Sequence, residues 1–239
     1  MRNDWGLDFV SPFIKNGDKK CDGLKSTTIR GAFRLLQWRF TSTPRKSKAI
    51  GKYTHKIALV EIALRNSLNY LLSIKDTDWI NSSTDPRVIQ MRTETLKACH
   101  ATTLSHDSYL SKMTLGMVIH IIKREGLFAR ILNADKIQFK RYDPSYKLEK
   151  IFIKGKKSHL SNYNKATIAL SLFHTLRNRC YHWENITKTR TGENGKIYPR
   201  LTTKILGISI GVYPNEIERF LDDLLESSSR ELLDYANHP

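Results

Sequence analysis

Arg177, Asn178 and His182 stand together in the run Leu176-Arg177-Asn178-Arg179-Cys180-Tyr181-His182-Trp183-Glu184, and residues of these types can cut RNA without a metal ion. A guanidinium fork suits a scissile phosphate and offsets charge building on its oxygens. An imidazole titrates close enough to neutrality to move a proton at the ribose 2′-hydroxyl or the leaving 5′-oxygen. The substrate's own hydroxyl is then the nucleophile, so the product carries a 2′,3′-cyclic phosphate and DNA resists. Asn178, one turn before His182, is placed to orient the histidine or the phosphate. The plain alternative is that Arg177, Asn178 and His182 cap a helix and pair across an interface. In so basic a chain, with eight histidines, the bare Arg-x4-His spacing is weak evidence.

The helix that must position these groups is predicted over Ser161 to Tyr181. Advancing about 100° per residue puts Ala169, Leu172, Phe173, Leu176 and Cys180 on one apolar face. Arg177, Tyr181, His174, Asn178 and His182 spread over the opposite side. Solvated helix faces are usually richer in Lys and Glu at i,i+4 spacing. Arg177 and His182 still lie about 140° apart around the axis, which favours a composite site where the same patch of two copies meets across a two-fold axis.

The remaining elements read as helices. Ala49 to Ile74 is the clearest, with Ile57, Val60, Leu64, Leu68, Leu71 and Leu72 at helical spacing. Ser26 to Phe40 reads as a short helix broken by Ser42-Thr43-Pro44, after a polar arm over residues 1–25. Pro86 should open a helix through Met91 and Leu96, and Leu110 to Leu132 reads as helical up to an interruption near Gly126. Thr187 to Lys204, with Gly192, Gly195 and Pro199, reads as a loop or small hairpin. Ile205 to Tyr235 reads as helical segments, with Pro214 in a first turn. The strand signal is weak throughout, so the expected fold class is all-α: residues 1–48 an arm and short helix packing on a helical domain of residues 49–239.

Composition points to a polyanionic partner. Lys and Arg number 40 against 23 Asp and Glu, a net charge of +17, and each phosphate neutralised releases condensed counterions. From Ala134 to Lys157, basic residues alternate with Phe139, Tyr142, Tyr146 and Phe152, which suggests either a solvated loop or an insertion that grips RNA with aromatics stacked on bases. Lys140, Arg141, Lys154, Lys156, Lys157, Arg65 and Arg179 are the candidate RNA contacts. Arg65-Asn66 repeats the Arg-Asn pair but has Tyr70 where a histidine would be needed, so Arg65 is expected to pair with Glu61 one turn earlier. The three cysteines show no zinc spacing, Cys99-His100 with His106 lacks a fourth ligand, and no phosphate-binding glycine loop is present. No metal or cofactor is expected. With no signal-peptide or membrane-spanning run, the expected setting is soluble and cytoplasmic.

Leu176-Arg177-Asn178-Arg179-Cys180-Tyr181-His182 resembles the Arg-Asn-x3-His form of the HEPN ribonuclease motif. Lys52-Tyr53 with Ile57 through Asn66 resembles the first helix of the Abi-like (AbiD/AbiF) abortive-infection proteins. Met113-Thr114-Leu115-Gly116-Met117-Val118-Ile119 resembles that family's central Leu-Thr-Phe-Gly-type segment. The resemblance spans about residues 50–235 in the family's order. It implies a HEPN-type helical bundle, a homodimer, metal-independent endoribonuclease activity in phage defence, and control by a partner such as a small non-coding RNA. The family's His-x-Glu-Pro continuation stands here as His182-Trp183-Glu184-Asn185, which alters the exit from the helix. A non-catalytic protein holding a structured RNA on the same fold is the alternative.

Overall fold

The computed structural model describes residues 44–143, 150–153, 156–193, 195–205 and 208–237. The arm and the Ser26–Phe40 helix lie outside them. The protein is mostly helical, and its longest helix, α1 (Pro44–Ser73), is the hub. It starts at Pro44, five residues before the expected boundary, since proline fits the first turn of a helix as well as it breaks the interior of one. Ile57, Val60, Leu64, Leu68 and Leu71 repeat every three or four residues along α1 and are all buried.

Short helices α2 (Trp79–Ser82), α3 (Pro86–Cys99), α4 (His106–Lys112), α5 (Leu115–Arg124), α6 (Phe128–Ile131) and α7 (Phe139–Tyr142) follow. The break expected near Gly126 is present, with Gly126 at φ +65°. A second break at Met113-Thr114 separates α4 from α5, because the Thr114 side chain caps α5 by accepting from the Met117 amide at 3.3 Å. Pro86 opens α3 as expected, with Asp85 as N-cap accepting from the Arg87 amide at 2.7 Å.

Helix α8 (Asn162–Tyr181), capped by Ser161, runs against α1, α5 and α6. Its predicted apolar face is the buried one: Ala169, Leu172, Phe173, Leu176 and Cys180. Helices α9 (Ile217–Ser228) and α10 (Arg230–Asn237) close the chain against α1. Buried Lys56 of α1 is neutralised there by Asp222 and Glu218 of α9.

Among the described residues three two-stranded antiparallel ladders accompany the helices, and the all-α expectation included one of them, the small hairpin. Lys150–Ile153 (β1) pairs with Lys156–His159 (β2), inside the stretch expected as a basic loop. Thr189–Thr191 (β3) pairs with Ile197–Pro199 (β4), the small hairpin that Gly192 and Gly195 announced. Leu201–Ile205 (β5), at the end of the stretch read as a loop or small hairpin, pairs with Ile208–Val212 (β6), where the reading of 205–235 placed helix. Cross-strand pairing explains this last correction: Leu201 opposite Val212 and Thr203 opposite Ile210 share a face that is buried but for half-buried Thr203, whereas Lys204 and its partner Ser209 are exposed on the other. Packing of that face against α8 overrode a helical prior that rested on Ile217 onward.

Candidate functional site

The motif sits where three distant segments of the chain meet. Arg177 on α8 donates through Nε to Glu61 Oε2 at 3.1 Å, across 116 residues of sequence. Glu61 on α1 gives its other oxygen to Arg65 Nη2 at 3.3 Å, the i,i+4 pair expected. Arg65 Nη2 also donates to the Met113 carbonyl at 3.0 Å, which ties in the break between α4 and α5. Next to it, a methyl built on Gly116 would lie 3.5 Å from His174 Nε2, ordinary contact distance. One carboxylate thus holds two guanidiniums at the seam of α1, α5 and α8, leaving the trio a net positive charge for an anion.

Asn178 completes the patch. Its Nδ2 lies 3.3 Å from His174 Nε2, and its Oδ1 accepts from Arg177 Nη1 at 3.4 Å. The side chain therefore serves Arg177 and His174, not His182 as its spacing suggested; only its backbone carbonyl, accepting the His182 amide at 2.9 Å, reaches that residue. The Tyr181 ring lies under the Arg177 guanidinium at 4.1 Å, with about half of Tyr181 exposed. Partial burial and the Glu61 carboxylate push the Tyr181 phenol upward, against the pull of Arg177 and Arg65. Burial alone pushes the neighbouring Cys180 thiol up to about 12, so it is an inert core group.

His182 is exposed and forms the C-cap of α8. The chain leaves the helix through a Schellman arrangement: the Trp183 amide donates to the Cys180 carbonyl at 3.1 Å and the Glu184 amide to Arg179 at 2.9 Å. The left-handed position that glycine usually fills holds Trp183 at φ 54°. A bulky residue rarely adopts this conformation, and strain of this kind clusters at functional sites. The usual apolar contact across the motif is replaced by an ion pair. Glu184 Oε2 lies 3.3 Å from Arg179 Nη1, off the line of a hydrogen bond, and 3.5 Å from Arg200.

The predicted RNA contacts scatter. Arg65 and Arg177 share Glu61, while Arg179 turns away to Glu184. Lys140 and Arg141 are exposed on α7, and Arg141 lies 3.9 Å from Asp223. Phe139 and Tyr142 are buried core residues, which removes them as stacking platforms for bases. Tyr142 donates to Asp223, whose carboxyl is pushed up by burial while Tyr142 and Arg141 pull it back. Lys154 and Tyr146 lie outside the described residues, as do the side chains of Phe152, Lys156 and Lys157; the last two belong to β2 by backbone.

Glu61 is the residue that sequence reasoning did not assign to the site, since its link to Arg177 appears only once α1 and α8 are packed. Of the Cys99-His100-His106 group, His106 is engaged with Asn69 at 2.8 Å and Trp79 edge-on, and His100 is a left-handed helix cap. Among the described residues, no group of three or more His, Cys, Asp and Glu is placed to hold a metal ion, and no helix is long and apolar enough to cross a membrane. No family model matches the chain, and neither a curated protein nor a solved structure matches it.

Proposed function

We propose that the protein is a metal-independent endoribonuclease of the HEPN type its motifs resemble, working as a phage-defence effector. The observation that carries this reading is the Arg177–Glu61–Arg65–Met113 chain of contacts. It joins the three segments whose sequences resemble one family, and it centres them on the arginine expected to hold the phosphate.

Arg177 binds the scissile phosphate, with Glu61 and Tyr181 fixing the plane and direction of its fork. The ribose 2′-oxygen attacks phosphorus and loses its proton to a base; the 5′-oxygen leaves and gains one. His182 serves one of these transfers, and His182 of a second copy serves the other in a composite site on the two-fold axis. Arg65 adds positive charge behind the phosphate without touching it. A small non-coding RNA on the basic surface would restrain the enzyme until infection.

Purified protein incubated with RNA in EDTA tests the reading. Cleavage that survives chelation and is lost in His182→Ala, with RNA binding retained, supports it. Wild type and His182→Ala that bind RNA equally while neither cuts would replace it with the non-catalytic RNA holder.

A further inference from the structure

The helix that carries His182 runs directly into a structured basic ribbon. After the Glu184 turn, Asn185 Oδ1 accepts from the Thr187 amide at 3.0 Å and from its hydroxyl at 2.7 Å, and Ile186 is buried. The link from His182 to β3 is therefore short and held. In the β3–β4 ladder, Arg190 stands opposite Tyr198, Thr189 opposite Pro199 and Thr191 opposite Ile197. Paired residues share a face and successive residues alternate. Arg190 and Tyr198 thus lie on one face, and the same alternation carries Lys188, Lys196 and Arg200 to it.

The opposite face is marked by Pro199, which is buried against Gly211 of β6 with no room for a methyl between them. Pro199 is the buried residue of that face, whose Thr189, Thr191 and Ile197 are exposed; on the basic face Lys188, Arg190, Lys196 and Arg200 are exposed and Tyr198 is half-buried. Four cations and one aromatic ring gather on a two-stranded ribbon, against Glu193 alone at its turn. Gly195, at φ 70°, and the Gly192 amide bond to the Lys196 carbonyl (2.8 Å) close that turn. Arg200 at the ribbon's base shares Glu184 with Arg179, so the ribbon is latched to the helix end that presents His182.

We infer that the β3–β4 ribbon is a binding surface for single-stranded RNA, tracking the phosphates with Lys188, Arg190 and Lys196, stacking a base on Tyr198, and delivering the strand to His182. Backbone cations combined with a stacking ring suit an unpaired strand. The delivery rests on the ribonuclease reading of His182; the binding surface does not.

Fluorescence anisotropy of a labelled, unstructured RNA of about 12 nucleotides, in the His182→Ala protein over a salt series, tests it. Lys188→Glu, Arg190→Glu and Lys196→Glu together should weaken binding at least about tenfold and flatten the salt slope by about 2, at roughly 0.7 for each phosphate left unneutralised. Arg190→Glu alone should flatten it by about 0.7, which covers the case in which the triple variant misfolds. Tyr198→Ala should weaken binding about tenfold and Tyr198→Phe should restore it. Equal reversal outside the ribbon, at Lys97, Lys123 and Arg130, measures the effect of net charge alone. Ribbon and control reversals that weaken binding equally would overturn the inference. A wild type that binds through the ribbon yet never cuts RNA overturns the ribonuclease reading and leaves the ribbon standing.

Discussion

At the scale of single residues, Arg177 is held on three sides. Its guanidinium has Glu61 at one edge, Asn178 at another and the Tyr181 ring beneath. Lysine keeps the charge but has neither the fork nor the planar face. Arg177→Lys should therefore lower the cleavage rate about a hundredfold or more while RNA affinity changes little, as for loss of one transition-state donor; single-turnover kinetics at saturating protein checks this. Gly116→Ala provides the contrast. Its methyl meets His174 at ordinary contact distance, and alanine favours the helix by roughly 0.5–1 kcal/mol, so denaturant unfolding should show a slightly more stable protein. Arg177, Asn178 and His182 were legible in the sequence because they lie within two turns of one helix. Glu61 was not, since spacing along α1 shows its bond to Arg65 and nothing of its bond to a residue 116 positions away. Trp183 was not legible either: tryptophan has no preference for the left-handed position it fills, and only the bonds closing α8 place it there.

At the scale of elements, two small features hold the frame. Gly211 on β6 lies against Pro199, Leu201 and Thr202 with no room for a side chain. Gly211→Ala should push β4 off β6, and it should lower both stability and RNA binding while Gly116→Ala lowers neither. Asp85 caps α3 and receives His120 at 3.0 Å and Arg124 from α5. Burial pushes its carboxyl up, but the bonds from His120, the Arg87 amide and Arg124 outweigh burial and hold it well below the usual carboxylate range. The native state therefore binds fewer protons than the unfolded chain near that chain's value of about 4. Stability from Asp85 is complete above this pH and is lost as pH falls below it. Asp85→Asn should cost about 3 kcal/mol at pH 7 and should flatten the acid limb of stability against pH, measured by urea unfolding from pH 3 to 7. Long amphipathic elements such as α1 and α8 were legible from apolar spacing. The β5–β6 hairpin was not, because its strands are short and their pairing is decided by contact with α8.

At the scale of the whole molecule, the net charge of +17 is distributed to particular places. Part is spent internally, on Lys52 and Lys56 against α9 and on Arg124 against Asp85. Of the stretch read as either a solvated loop or an RNA-gripping insertion, Phe139 and Tyr142 go into the core, while the β3–β4 ribbon beside His182 exposes its cations. Arg177 is held inside the seam and His182 sits on the exposed cap beyond it, so one copy offers the two groups from different settings. Mixing inactive Arg177→Ala with inactive His182→Ala should restore part of the activity if two copies share a site. No recovery in exchanged heterodimers would confine the site to one chain. Cleavage by the substrate's own 2′-hydroxyl, with Arg177 and His182, dictates the ends that the cut RNA carries. RNA cut by the wild-type protein in EDTA should carry 2′,3′-cyclic phosphate and 5′-hydroxyl termini by mass spectrometry, and His182→Ala should leave the RNA intact. Products with 3′-hydroxyl and 5′-phosphate ends, or cutting that persists in His182→Ala, would contradict it.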